Sequence, residues 1–466
     1  MGRISGGWLV RMALFGPLVL AAAWLAAAAS GNDQAQAGCE FGDGPPFAFQ
    51  GYEGPQNRED FLLAQQLAAT NQLFPENEAF ALPEILAGSA GNRAPQPEAT
   101  IPATLVHAIG WIESRTTHTV REVHWQSIGD VLLSRDCGYG VMQVTSYFEN
   151  DGEPPSRNEA LVGTHYAYNT AAGAQILVEK WNDAFFPIVG FGEPAFVESW
   201  YYALWAYNGW AFSNHPAGAE TDPFRSLPYP CDGPRNGYAY QELVLGCAQS
   251  PPALDGEPLW QEKPVQLPDL ASLSAAGGPL DPAVYFAGWN AIRQSPLGDK
   301  HPHPFLAMSM PLPPGALPVA ETALPDLAAR AVREAILGEP RLDLETTNVT
   351  LTPMPNGTRA TATITVANAG SGLLVYRAET DAPWLGLGVQ AGVAAGVDVP
   401  FRAGEPRQAT ITLVADRATI PAGTAGATVT IEALLPNGDI LSRDVRVDVV
   451  EVTQEIPAYE AGQPQS

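Results

Sequence analysis

A mainly α-helical (α+β) domain followed by an all-β, immunoglobulin-like sandwich is the architecture this chain predicts, and three observations predict it. Between residues 58 and 245 apolar residues recur at helical spacing in successive segments. From Leu342 to Val450 the spacing changes to period-two alternation, in about seven short runs over about 110 residues. Between the two lies residues 249–325, dense in proline and without clear periodicity. A chain of 466 residues has room for about three domains.

Composition narrows the function classes. Apolar residues make up 46% of the chain, enough for real cores, whereas only 16% are charged, against about 25% in an average soluble domain. The 45 glycines and 43 prolines call for long loops. Net charge is −26, from 24 Lys and Arg against 50 Asp and Glu. Nucleic acid is therefore an unfavourable partner, because displacing counterions from phosphates needs a basic surface. An acidic substrate would have to be captured by a groove with aromatics and hydrogen bonds.

At the N-terminus Arg3 and Arg11 flank an uncharged apolar run, residues 12–29, and Ala35-Gln36-Ala37 offers a small-residue cleavage site. The run suits a cleaved signal peptide and also approaches the length of a membrane anchor. Ala37-Gly38-Cys39 leaves a lipoprotein open as a third reading. Every version exports the remainder. The four cysteines, Cys39, Cys137, Cys231 and Cys247, follow the cleavage site, and an even count in an exported chain points to two disulfides. Cys231–Cys247 closes a short loop and is the first choice, leaving Cys39–Cys137. No Cys-x-x-Cys is present, and His301-Pro302-His303 lacks a carboxylate partner, so neither a metal nor another cofactor is expected.

The elements follow in order. Arg58 to Phe74 places Leu63, Leu67 and Phe74 on one helical face, with Asn57 as candidate cap. Ile101 to Ser114 carries Leu105, Ile109 and Ile112 at i, i+4, i+7, with Pro102 in its first turn. Ala160 to Phe185 reads as one helix, and Phe196 to Tyr207 as another, crowded with aromatics. Asn236 to Leu245 opens the last helix of this domain, and Leu327 to Leu337 is a short amphipathic helix. In the β region Ala360-Thr-Ala-Thr-Ile-Thr-Val and Gln408-Ala-Thr-Ile-Thr-Leu-Val alternate cleanly, and Asn437-Gly438 sits between two apolar runs as a hairpin turn.

Glu113 is the residue with chemistry to offer. It lies near the C-terminal end of an apolar helix, where burial and the negative end of the helix dipole both favour the neutral acid. A carboxyl protonated near neutral pH is what a general acid for a glycosidic oxygen requires. A second carboxylate at glycosidase spacing is not evident; Asp136, Glu179 and Glu198 read as surface charges.

Three short signatures surround this acid in order: Trp111-Ile112-Glu113-Ser114, Gly138-Tyr139-Gly140-Val141-Met142-Gln143, and Ala206-Tyr207-Asn208-Gly209-Trp210. Asn169-Thr170-Ala171-Ala172-Gly173 and Tyr240-Gln241-Glu242-Leu243-Val244-Leu245 add an Asn-x-x-x-Gly helix start and a Tyr-x-x-x-Val-Leu helix. Together they resemble the lysozyme-like soluble lytic transglycosylases, over residues 99–248. The resemblance implies an exported enzyme acting on peptidoglycan glycan strands with Glu113 as its single acid and base. It implies that Ser114 helps hold the carboxyl, and that Met142, Gln143, Tyr207, Asn208 and Tyr240 line the groove, Tyr238 being a rival for the last role. Val144-Thr145-Ser146 stands where that family tends to have a proline, and residues 116–136 form a longer spacer than usual. Ala382-Pro383-Trp384-Leu385 and Ile420-Pro421-Ala422-Gly423 look similar to features of the BACON-like bacterial β-sandwiches, implying either a wall contact or a spacer.

The domains expected are residues 1–37 as signal or anchor, 38–98 as an extension with one helix, and 99–248 as the catalytic domain. A Pro-rich linker follows at 249–340, one that packs on the domains in places because Tyr285, Phe286 and Trp289 are too apolar for a free tether, then the sandwich at 341–452 and a tail at 453–466. Two other functions stay open: a muramidase- or chitinase-like hydrolase on the same fold, and a wall-binding protein without activity.

Overall fold

The computed structural model describes residues 46–296, 304–319, 323–354 and 357–449. The leader or anchor, Cys39, the His301/His303 pair and the C-terminal tail from 453 lie outside the described residues. Helices α1 (Glu59–Ala69), α2 (Ala103–Ser114), α3 (Arg157–Thr164), α4 (Tyr166–Asn182), α5 (Tyr201–Tyr207) and α6 (Tyr240–Gln249) build a helical body. None of the described helices is long and apolar enough to cross a membrane.

Helix α2 sits at the centre of that body. Eleven of its twelve residues are buried, and Glu113 is the exception. The expected helix over 160–185 is instead two, α3 and α4, because His165 adopts an extended backbone (φ −115°, ψ 118°) and caps α4 through its Nδ1, which accepts from Ala167 N at 3.1 Å. The long spacer after α2 is put to use: β4 (Ser127–Asp130) pairs antiparallel with β1 (Gln50–Glu53), so the chain ahead of α1 is tied across the site. The hairpins β2 (Leu86–Ala87) with β3 (Ala94–Pro95), and β5 (Ala253–Leu254) with β6 (Glu257–Pro258), are minor.

The described residues of 249–340, expected as a linker that packs on the domains in places, pack along the body and hold regular helices. Their elements are α7 (Leu270–Leu273), α8 (Pro282–Gln294) and α9 (Asp326–Leu337). Tyr285 is fully buried, stacks on Trp205 with ring centroids 5.7 Å apart, and donates to Trp210 O at 2.8 Å. Phe305 and Met308 are buried beside it. Of the aromatics too apolar for a free tether, Tyr285 is core, whereas Trp289 is half-buried and Phe286 exposed.

Strands β7 (Leu342–Leu344), β8 (Asn348–Pro353), β9 (Arg359–Asn368), β10 (Leu373–Thr380), β11 (Leu385–Leu387), β12 (Ala391–Ala395), β13 (Ala409–Asp416), β14 (Gly426–Leu434) and β15 (Ile440–Val449) form one large curled sheet, with β7 paired to β9 off the path β11-β13-β9-β8-β15-β14-β10-β12. The pair β15–β8 is parallel, and β8 also pairs with β9, which joins the two halves that a sandwich would keep apart. Gly438 turns the β14–β15 hairpin at φ 86°, as its sequence predicts. Alternation is clean in β13, whereas β12 is buried at every position. The reason is that β12 is covered on its outer side by the helical body: Phe49 bridges Ala391 in parallel, and Gln390 N donates to Ala48 O at 2.9 Å. Around this seam Tyr52 Oη donates to Pro400 O at 2.5 Å, and Glu432 is paired with Arg157 (2.7 Å) and Arg377 (3.1 Å). The protein is thus a mixed, multidomain assembly of helices and a curled sheet joined through a packed interface.

The disulfide Cys231–Cys247 is present, 16 residues apart in sequence, as expected, and is compatible with export. Cys137 is disulfide-bonded too, while Cys39, the partner expected for it, lies outside the described residues.

Candidate functional site

The site assembles where α2 ends. Glu113 is half-buried, and its Oε1 accepts the Tyr240 hydroxyl at 2.5 Å. Among the described residues no protein donor reaches Oε2. Burial raises its pKa to about 7 against the hydrogen bond from Tyr240, which lowers it; the Asp136 charge raises it further and Arg235 opposes that. The expectation of a carboxyl titrating near neutrality is met, chiefly through desolvation. Tyr240, not Tyr238, is the tyrosine at the acid: Tyr238 donates to Ser226 O and packs edge-on against Tyr229.

Tyr207 lies parallel to Tyr240, with rings 6.3 Å apart and 13° between planes, and the Glu113 charge together with burial pushes its phenol well above its ordinary value. Its hydroxyl donates to Met142 O at 2.9 Å. This bond ties α5 to the glycine-rich turn. Asn208 ends α5 with an exposed side chain, held by Asn214 Nδ2 at 2.8 Å, and Asn214 Oδ1 accepts from Tyr240 N at 3.2 Å. Asn214 therefore aligns both walls, a role no motif in the sequence signals.

The glycine-rich turn is a tight reversal, with Tyr139 and Val144 exchanging backbone hydrogen bonds at 3.0 and 3.1 Å. Val144 is thus committed to the turn where a proline could not donate. Gly140 sits at φ 70°, and a Cβ there would lie 2.5 Å from the His118 ring. His118 Nδ1 in turn accepts from Val141 N at 3.3 Å. Asn169 Oδ1 accepts from Met142 N at 2.8 Å, and its amide donates to Tyr139 O at 2.8 Å, so the Asn-x-x-x-Gly segment holds the turn from α4. Gly173 completes that job by leaving room: a Cβ on it would come within 2.7 Å of Met142 Cβ.

Two expected roles need correction. Met142 does not line an open groove with its side chain; it is fully buried between Gly110 and Gly173, and only its carbonyl serves the site. Ser114 does not hold the Glu113 carboxyl. Its hydroxyl is shared between Gly110 O (3.0 Å) and Val141 O (2.9 Å), pinning the end of α2 to the turn. In both cases tight packing between helix and turn takes precedence over display to solvent. Gln143 stands between these extremes, half-buried at φ 49°, with its amide donating to Gly140 O at 2.8 Å.

Residues outside the motifs complete the surroundings. Arg235 donates to Ile112 O and to Trp111 O (3.1 Å), satisfying carbonyls that the helix end leaves open. Glu53 is buried at the end of β1, where its Oε2 accepts from His118 N (2.9 Å), Thr119 N (3.0 Å) and Thr119 Oγ1 (2.9 Å). Burial raises its pKa to about 7 despite those bonds. Neither residue stood out in the sequence: Arg235 precedes its helix by five positions, and Glu53 lies in a loop-like stretch rich in Gly and Phe.

No family model matches the chain, and no curated protein matches it. Among solved structures, similarity is found to the ASH/PapD-like domain 7 of human CEP192 at 9% identity and TM-score 0.18, over 30% of this chain and 99% of that one. A Bacteroides ovatus GH5 xyloglucanase in complex with a XXXG heptasaccharide is 13% identical at TM-score 0.16, over 26% of this chain and only 20% of that one. A FixG-related protein from Vibrio parahaemolyticus is 14% identical at TM-score 0.16, over 24% of this chain and 94% of that one. Likenesses at this level bear on neither the site nor its chemistry.

Proposed function

We propose that the protein is an exported lytic transglycosylase that cleaves the MurNAc–GlcNAc β-1,4 bond of peptidoglycan glycan strands, on a lysozyme-like helical domain. The observation that carries this reading is Glu113: a half-buried carboxyl whose pKa burial raises to about 7, held among the described residues at Oε1 by Tyr240, on which Tyr207 stacks. In the protonated form it gives its proton to the glycosidic oxygen as the bond breaks. The substrate's 2-acetamido group stabilises the sugar cation. Glu113, now a base, takes the proton of the sugar's 6-hydroxyl as that oxygen closes on the anomeric carbon. No water is consumed, and the product is a 1,6-anhydro ring. Tyr240 steadies the carboxylate stage by hydrogen bonding to Oε1, while Asn208 and Gln143 present polar groups alongside. The curled sheet, read as an immunoglobulin-like domain, serves as a scaffold or wall contact.

One observation favours a second reading, hydrolysis on the same site. Asp136 is exposed, accepts from Ser134 Oγ at 2.6 Å, and is close enough for its charge to raise the Glu113 pKa. A carboxylate so placed is the group a hydrolase would use to activate water. Mass spectrometry of fragments released from purified sacculi by residues 38–466 decides. Fragments one water lighter than hydrolytic ones, absent with Glu113→Gln, support the transglycosylase. Reducing ends that vanish with Asp136→Asn select the hydrolase, and no release from folded protein defeats both in favour of a wall-binding protein.

A further inference from the structure

Soon after Glu113 the chain takes two left-handed residues in succession, Arg115 at φ 62° and Thr116 at φ 55°. Thr116 N still donates to Gly110 O at 2.9 Å, and beyond it the chain leaves α2 for the spacer. Glu53, 2% exposed at the end of β1, takes hold of it there. Three donors from two successive residues converge on one of its oxygens: His118 N at 2.9 Å, Thr119 N at 3.0 Å and Thr119 Oγ1 at 2.9 Å, all on Oε2. Amides and a hydroxyl gathered in this way hold an anion in place. Glu53 Oε1 is buried with no hydrogen-bond partner among the described residues. Burying a carboxyl costs the fold, and an apolar side chain would fill the space with less desolvation.

What Glu53 fastens leads, bond by bond, to the acid. The His118 ring packs against Gly140, where a Cβ would lie 2.5 Å away, and its Nδ1 accepts from Val141 N at 3.3 Å. Burial lowers the pKa of that imidazole to about 4 and keeps it neutral, so Nδ1 can accept. Val141 O accepts from the hydroxyl of Ser114, the residue after Glu113, at 2.9 Å. One position further along the turn, Met142 O accepts from Tyr207 Oη at 2.9 Å. Tyr207 in turn stacks on Tyr240, the donor to Glu113 Oε1. Two routes thus run from Glu53 to the surroundings of the Glu113 carboxyl. The charges that bear on Glu113 itself are those of Asp136 and Arg235, and its titratable neighbours are Tyr207 and Tyr240.

We propose that Glu53 is a positioning residue for Glu113: by fastening His118 and Thr119 it sets the glycine-rich turn, whose carbonyls fix Ser114 and Tyr207 around the acid. The inference rests on the reading of Glu113 as the acid. Held in this way, the turn keeps Glu113 half-buried, the condition that favours its neutral form. When the turn shifts, water reaches the carboxyl. The acid then gives up its proton at lower pH and loses its alignment with the glycosidic oxygen. Glu53 is itself buried away from substrate, so its effect belongs to kcat rather than KM. The long spacer at 116–136 gains a reason as well. It brings His118 and Thr119 to the strand that carries their anchor.

The test follows the Glu113 carboxyl directly, by carbon NMR of protein labelled at glutamate, with its signal identified by its loss in Glu113→Gln. Glu53→Ala is expected to lower the Glu113 midpoint by about one pH unit, from about 7 toward 4.5. On soluble glycan strands the same variant should lower kcat about tenfold with KM within about twofold of wild type. Glu53→Gln keeps one acceptor oxygen for the same donors and should restore most of both losses, a recovery that mere space-filling does not predict. A folded Glu53→Ala with a wild-type midpoint, a loss confined to KM, or a Glu53→Gln as impaired as Glu53→Ala overturns the proposal. If Glu53→Ala does not fold, Thr119→Val decides. Removing one of the three donors should lower the midpoint in part, and an unmoved midpoint overturns the proposal. The titration also separates this inference from the reading beneath it. If wild type releases no fragments, cleavage is lost as a function, yet a midpoint that drops in Glu53→Ala and recovers in Glu53→Gln still upholds the positioning role. A midpoint indifferent to both would refute it.

Discussion

The helical body and the curled sheet of this protein spend their stability differently. Among the described residues, every non-glycine with a left-handed backbone lies before residue 256, including Arg115, Thr116, Cys137, Gln143 and Trp210 around the site. Such positions cost roughly 1–2 kcal/mol each. The same body buries Glu53, His107, His118, His165 and His215, whose pKa values are displaced by desolvation: Glu53 to about 7, His107 and His165 to about 3, His118 and His215 to about 4. In the sheet no described non-glycine residue is left-handed, and the displaced buried groups are few, the Tyr376 phenol, raised by desolvation, among them. Its core is aliphatic but for Tyr376, and its one buried carboxylate, Glu432, is paired with two arginines at the seam. Strain and buried titratable groups collect in the body that carries the candidate site, and regular packing in the sheet.

The comparison can be broken most severely at the acid. Glu113→Gln should lower fragment release by at least about 10²-fold, the scale of acid–base help, with circular dichroism unchanged; a mutant of wild-type activity would end the assignment. Next in size, Phe49→Ala and Ile411→Ala each remove a buried side chain, from the seam and from the sheet core respectively. Each should cost about 2–5 kcal/mol in denaturant melts. Only Phe49→Ala should also reduce activity per folded molecule, because Phe49 packs on Tyr139 of the glycine-rich turn. Equal activity in the two variants would mean that the seam and the site are uncoupled.

A subtler contrast concerns pH. The Glu113 carboxyl is raised from 4.5 in the unfolded chain to about 7 when folded, so the native state holds a proton that the unfolded state has lost. Stability contributed by that proton is full below about pH 4.5 and is lost as pH rises to about 7. Glu113→Gln should therefore gain about 2–3 kcal/mol relative to wild type between pH 4 and pH 8; a pH-independent difference in melting would contradict the burial argument. Smallest of all are the neighbours. Tyr240→Phe removes the bond that favours the carboxylate and should move the basic limb of the pH–rate profile upward. Asp136→Asn removes a charge that disfavours it and should move the limb downward. Shifts in one common direction would show that another group titrates.

How much of this was legible in the sequence follows the same division. The sheet was legible almost strand by strand, since alternation such as that of residues 409–415 reports one buried face directly. The joining of its halves through the parallel pair β15–β8 was not, because long-range pairing leaves no local mark. At the site the ordered signatures placed Glu113, Tyr207, Asn208 and Tyr240 together. They misassigned Met142 and Ser114, because a motif records which residues recur and not which way a side chain faces. Arg235, Asn214 and Glu53 act through backbone atoms of distant segments, so no spacing rule could find them. The packing of Tyr285 was legible in its apolar company, whereas the helix α8 that carries it was not, since dense proline masks helical periodicity.

The seam at Phe49 and Ala391 has a mechanical consequence. Domains on a flexible tether search for a second foothold with an effective concentration set by linker length. Here residues 47–53 belong to both partners at once, running from the bridge with β12 to the pairing with β4. The sheet and the helical body that carries Glu113 are therefore held at a fixed offset, like two jaws of one caliper.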